Sequence, residues 1–218
     1  MGALSIRDTL TADNIHKAFT WIIRASLLLA FIGALWQGNY AIVFVTTLTL
    51  LLTFIPEFIK HKYHVRLPIE FEAFVVLFIY MSLYLGEVHG YYEQFWWWDT
   101  LLHLGSGVAL GFVGFAIMLI LDRAGKIQAS PSVLALFAFC FAMAAGAVWE
   151  IFEFAMDQLF GMHMQKGLTD TMADLIADAI GALAASTAGY FYLRSKKSMF
   201  LSRGLEKFVQ NNPQLFSR

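Results

Sequence analysis

Two runs concentrate the side chains able to do chemistry: W-E-I-F-E-F-A-M-D, ending at Asp157, and T-D-T-M-A-D-L-I-A-D, ending at Asp178. Glu150, Glu153 and Asp157 recur at i, i+3 and i+7, and Asp170, Asp174 and Asp178 at i, i+4 and i+8. Each trio therefore shares one face of a helix. A third run, W-W-D-T-L-L-H, adds Asp99 and His103 at i and i+4. Carboxylate oxygens with one imidazole make a ligand set for a divalent cation. We take Asp99, His103, Glu150, Glu153, Asp174 and Asp178 as candidate metal ligands, with His103 or Glu150 as the candidate catalytic base. His plus carboxylates would suit Zn²⁺, Mn²⁺ or Fe²⁺, and carboxylates alone Mg²⁺ or Ca²⁺; the spacing does not choose. Glu87, His89, Asp157 and Asp170 form a candidate outer rim. Each rim residue has an ordinary alternative: a first-turn acid for Asp170, a wet surface for Asp157, a solvated helix end for Glu87 and His89.

The elements that must position these groups are membrane helices. The chain has 218 residues, 59% hydrophobic and only 14% charged, where soluble domains carry about 25% charge. The expected fold is all-α: a polytopic transmembrane bundle of six spans with both termini cytoplasmic. Residues 1–193 form one six-span domain, and 194–218 an amphipathic cytoplasmic tail. The spans are expected near 19–36, 41–59, 71–86, 100–121, 131–160 and up to 193, each approaching the roughly 20 residues a bilayer needs. Residues 1–17 read as a polar leader rather than a cleavable signal. Pro56 is placed to kink the second span. Ser130 and Pro131 read as an N-cap followed by Pro at N1.

Orientation follows from the basic residues. With the N-terminus inside, Lys166 alone among the 15 lysines and arginines falls on the outer side, counting Arg24 with the N-terminal flank. That bias makes the basic side cytoplasmic. The acidic trios then sit at the outer ends of spans four to six. Counting about 20 residues outward puts the hydrocarbon boundary near His103, Phe152 and Asp174, with Glu150 and Asp178 about one turn inside it. A charge at the bilayer centre costs about 2.5–3.5 kcal/mol, and less near an interface. Clustered carboxylates also repel one another, so the site requires protons, water or a cation. His103, His163 and Lys166 are the nearby sources of positive charge.

Other features have plain readings. Trp96, Trp97 and Trp98 suit an interfacial belt. Gly107 with Gly111, and Gly181 with Ala185 and Gly189, give small faces for close helix packing. The single Cys140 excludes an intrachain disulfide and a cysteine-rich zinc site. A net charge of −1 gives no electrostatic footprint for nucleic acid, and no such partner is expected. The lipid bilayer is the expected partner, and the oligomeric state is open. Lys196, Lys197, Arg203 and Lys207, interleaved with Met199, Phe200, Leu205 and Phe208, suit a helix lying on an anionic leaflet.

The runs G-E-V-H-G-Y-Y-E, W-W-D-T-L-L-H-L-G-S-G, W-E-I-F-E-F-A-M-D and G-L-T-D-T-M-A-D-L-I-A-D-A-I-G-A resemble the YjdF-like family of bacterial inner-membrane proteins, over about residues 70–193. More distantly, Asp99 and His103, then Glu150 and Glu153, then Asp170, Asp174 and Asp178 follow an order similar to VanZ-like proteins, a group associated with glycopeptide resistance. The resemblance implies a bacterial inner (cytoplasmic) membrane location and this choice of site residues, and it supplies no reaction. The VanZ likeness hints at cell-envelope lipid or precursor handling.

Two function classes follow. One is a metal-dependent hydrolase or transferase acting on a lipid-linked envelope substrate at the outer leaflet. The other is a cation or proton transporter or channel with the acidic cluster as its vestibule, for which Arg24 and Thr46 or Thr47 are the polar candidates deeper in the chain. A structural metal pinning three helices is a third.

Overall fold

The computed structural model describes residues 6–161, 164–195 and 203–216. These residues are mostly helical, without strands, and six helical segments are long and apolar enough to cross a membrane. The chain divides into two compact units, residues 1–96 and 97–218.

The first unit begins with α1 (Ile6–Trp36), continuous from within the expected polar leader, followed by α2 (Tyr40–Leu52) and α3 (Ile55–Tyr63). α4 (Ile69–Ile79) runs on into a π-helical segment (Tyr80–Val88), and a short α5 (Tyr91–Gln94) ends the unit. Ile23, Leu27 and Val76 form its buried core, with Phe19, Leu50, Tyr80 and Tyr84 around them.

The second span bends where Pro56 predicts, through a turn at Thr53–Phe54 that leaves Pro56 in the first turn of α3. Proline has no N–H for the carbonyl one turn back, so carbonyls near the bend lose helical donors. Arg24 occupies this position. It is 7% exposed and well inside the segment Asn14–Trp36, not part of a solvated basic flank. Its Nη2 donates to Thr53 O and Glu57 Oε1, both at 2.8 Å, and its Nε to Thr53 Oγ1 at 3.1 Å. The guanidinium also lies over the Phe54 ring at 3.8 Å. One arginine thus satisfies the buried Thr53 carbonyl at the bend and pairs with the Glu57 carboxylate.

The second unit is built on α6 (Trp98–Arg123), α7 (Pro131–Phe160) and α8 (Leu168–Ser195), which pack pairwise. α7 starts as expected: Ser130 Oγ accepts from Val133 N at 3.4 Å, and Pro131 stands at N1. α6 and α8 touch backbone to backbone. A Cβ on Gly107 would lie 2.5 Å from Asp178 O, and one on Gly181 would overlap Leu104 O. Only glycine permits that approach, which brings the polar faces of the two helices together.

At the opposite end of these helices Phe115, Leu119, Leu134 and Ala138 form an apolar core that also takes Leu205. Leu205 belongs to α9 (Arg203–Asn211), which is followed by α10 (Pro213–Phe216). The apolar face expected to lie on lipid thus packs Leu205 and Val209 against the bundle. Lys196, Lys197, Met199 and Phe200 lie outside the described residues, as does His163.

Candidate functional site

His103 is the hub of the polar end of the second unit. Its Nδ1 lies 3.1 Å from Asp178 Oδ2. Its Nε2 lies 3.7 Å from Asp99 Oδ1 and 3.7 Å from Glu150 Oε1. Asp99 and His103 come from the first turns of α6, Glu150 from α7, and Asp174 and Asp178 from α8. Ligand atoms of Asp99, His103 and Asp174 all fall within 4.8 Å of one another, close enough to share one ion. Asp178 and Asp174 are 1% and 2% exposed, and His103, Glu150 and Glu153 are also buried.

Glu150 Oε1 is a buried oxygen without a hydrogen-bond partner, and it faces the His103 imidazole. Burying a carboxylate oxygen without a donor is costly, so such an atom marks where a proton, water or cation belongs. Two converging carboxylates and one imidazole nitrogen, with Glu150 Oε1 3.7 Å from that nitrogen, make a donor set of the kind that suits Zn²⁺, Mn²⁺ or Mg²⁺.

Glu153 has a defined neighbour on its own helix: Trp149 Nε1 donates to its Oε1 at 2.8 Å. Asp157 fastens the connection between α7 and α8, accepting from Met164 N at 2.6 Å and Gln165 N at 2.9 Å. Gln165 Nε2 in turn donates to Glu150 O at 3.3 Å and to Thr171 Oγ1 at 3.1 Å. Asp170, in the first turn of α8, accepts from Lys166 N at 3.2 Å. These two rim acids therefore anchor residues 164–166 of the connection to the ends of α7 and α8. Glu87 and His89 belong to the first unit, where both are exposed and His89 packs edge-on against Tyr84 at 4.9 Å.

Ser106 was not among the residues selected by spacing. Its Oγ lies 3.0 Å from Asp178 Oδ1 and 2.8 Å from the His103 carbonyl. The only available signal was its position three residues after His103, where a serine ordinarily bonds its own helix.

A family of predicted membrane proteins, DUF2238, matches residues 19–195. The chain belongs to this family. The match covers all three helices of the site and the four motif runs quoted above. An uncharacterised protein of Thermotoga maritima is 27% identical over 141 residues, covering 64% of this chain and 70% of that protein. No solved structure matches the chain.

Proposed function

We propose that this protein is a metal-dependent hydrolase or transferase of the bacterial inner membrane, acting on a lipid-linked envelope substrate. One observation carries the reading: Glu150 Oε1, buried and without a donor, faces an imidazole whose neighbours Asp99 and Asp174 can share one ion with it. Asp99, His103 and Asp174 would hold the ion, with Glu150 beside the imidazole as a further ligand or as general base, and with Glu153 and Asp178 behind them. A divalent ion held there supplies Lewis acidity toward a phosphoryl or acyl oxygen. Glu150 is the group placed to take a proton from an attacking hydroxyl or water, because its free oxygen lies on the imidazole side of the cluster. Exposed Leu168, Met172 and Ile176 on α8 would present the site's flank to acyl chains. The order of site residues, similar to VanZ-like proteins, favours an envelope substrate. The basic bias of the sequence favours an outward-facing site with both termini cytoplasmic.

The test is turnover in detergent by purified protein of a fluorogenic phosphate-ester lipid and an acyl-ester lipid. Activity should be abolished by chelation, restored by one divalent metal, and lost in Glu150→Gln and His103→Ala. Full activity in either variant would contradict the reading.

One observation favours transport as a second reading. The first unit holds its own polar cluster: Arg24 with Thr53 and Glu57, and Glu72 with Lys60 Nζ at 2.6 Å and His16 Nε2 at 3.6 Å. Polar groups in a membrane unit are what a conducted ion or proton uses. Liposomes containing the protein would then take up a divalent cation or protons, and silent liposomes would exclude transport.

A further inference from the structure

Asp178 differs from the other acids of the cluster. Both of its oxygens are engaged within the protein, Oδ2 with His103 Nδ1 at 3.1 Å and Oδ1 with Ser106 Oγ at 3.0 Å. It is the most deeply buried of these carboxylates, at 1% exposure. Like Glu150 and Glu153, it lies outside the group whose ligand atoms converge, Asp99, His103 and Asp174.

The surroundings fix it there. The α6–α8 approach at Gly107 and Gly181 brings the Asp178 backbone against α6. From the other side, α7 offers Gly146, where any Cβ would overlap Asp178 Oδ2. The carboxylate therefore fills a space left by an absent side chain.

We propose that Ser106, Asp178 and Gly146 form a positioning device for His103, with Asp178 acting through the imidazole and not as a ligand. The proposal rests on the metal reading above and divides the acids of the site into two kinds. A carboxylate on the Nδ1 side places the ring proton there and leaves the Nε2 lone pair facing Asp99 and Glu150. Metal-bound histidines are commonly oriented this way by a carboxylate on the other nitrogen, which also makes the ring a better donor. Ser106 adds a second tether. Its single hydroxyl proton is shared between the His103 carbonyl at 2.8 Å and Asp178 Oδ1, so the serine ties the carboxylate to the same turn of α6 that carries the imidazole. Gly146 supplies room, and its role is steric.

The experiment is ¹⁵N NMR of histidine-labelled, metal-free protein in nanodiscs, followed by Co²⁺ and Mn²⁺ titration of the same samples. At alkaline pH, where the ring holds a single proton, wild-type His103 should carry it on Nδ1. Ser106→Ala and Gly146→Ala should mix the two tautomers, and both should weaken metal binding by about tenfold. Asp178→Asn should weaken it by about 10–100-fold while leaving the Co²⁺ absorption spectrum, and so the coordination number, unchanged. An unaltered tautomer in Ser106→Ala and Gly146→Ala would overturn the proposal. So would an Asp178→Asn spectrum showing a lost ligand. Should the wild type bind neither ion, the metal reading falls by itself, and the tautomer measurement still decides whether the device exists. Ser106→Ala deletes one oxygen, so the test stands even if a larger change at Asp178 prevents folding.

Discussion

Glu150 Oε1 and His103 Nε2 face each other at 3.7 Å, and the carboxylate oxygen receives no hydrogen bond. In metal-free protein that oxygen is a liability. Glu150→Gln should therefore raise the thermal midpoint of metal-free protein, because a neutral amide is cheaper to bury than a charged carboxylate with one oxygen left unpaired. The same change should weaken divalent metal binding by at least tenfold. Differential scanning fluorimetry with and without chelator reads both effects. A lower midpoint in the variant would show that Glu150 is already satisfied by something other than a cation.

Metal should stabilise the native protein by mass action. At about 100 times its Kd, a ligand specific to the folded state adds about 2.7 kcal/mol. A midpoint that rises with the logarithm of Mn²⁺ or Zn²⁺ concentration, and is flat in Asp174→Asn, is the expected pattern. Equal rises in both proteins would place the ion elsewhere.

Gly181 decides whether the site can assemble. A Cβ there would meet the Leu104 carbonyl and separate α6 from α8. Gly181→Ala should cost about 1–3 kcal/mol, in the range of other overpacked interiors, and should weaken metal binding with it. Stability measured in detergent should fall together with binding, whereas Glu150→Gln lowers binding while raising the metal-free midpoint.

Arg24 is joined to Thr53 and Glu57 by three hydrogen bonds from two nitrogens. Arg24→Lys should not restore what Arg24→Gln loses, since one ammonium cannot reproduce the fork or its stacking on Phe54. We expect about 1–3 kcal/mol of destabilisation in both variants, read by thermal unfolding. A lysine variant as stable as wild type would make the geometry unimportant and the charge sufficient.

Much of the fold was legible because apolar runs near bilayer length leave few alternatives, and Ser130–Pro131 marks a helix start by its own chemistry. The bend near Pro56 was legible for the same reason. Arg24 was not: its partners Thr53 and Glu57 lie 29 and 33 residues away, and periodicity in α1 cannot report them. For the site, helical spacing showed which acids share a face. It could not show that Asp157 turns back to the loop, that Glu153 meets Trp149, or that Asp178 is enclosed by Ser106 and Gly146. Those pairings depend on how closely α6, α7 and α8 approach one another, which is a property of packing.

Whether the cluster around His103 holds a metal is tested most directly by elemental analysis of purified protein, wild type beside a Glu150→Gln/Asp174→Asn double variant of verified fold. The account predicts near-stoichiometric divalent metal in the wild type and its loss in the variant. A wild type that retains no metal and shows no thermal shift with millimolar Zn²⁺, Mn²⁺, Mg²⁺ or Ca²⁺ would contradict it.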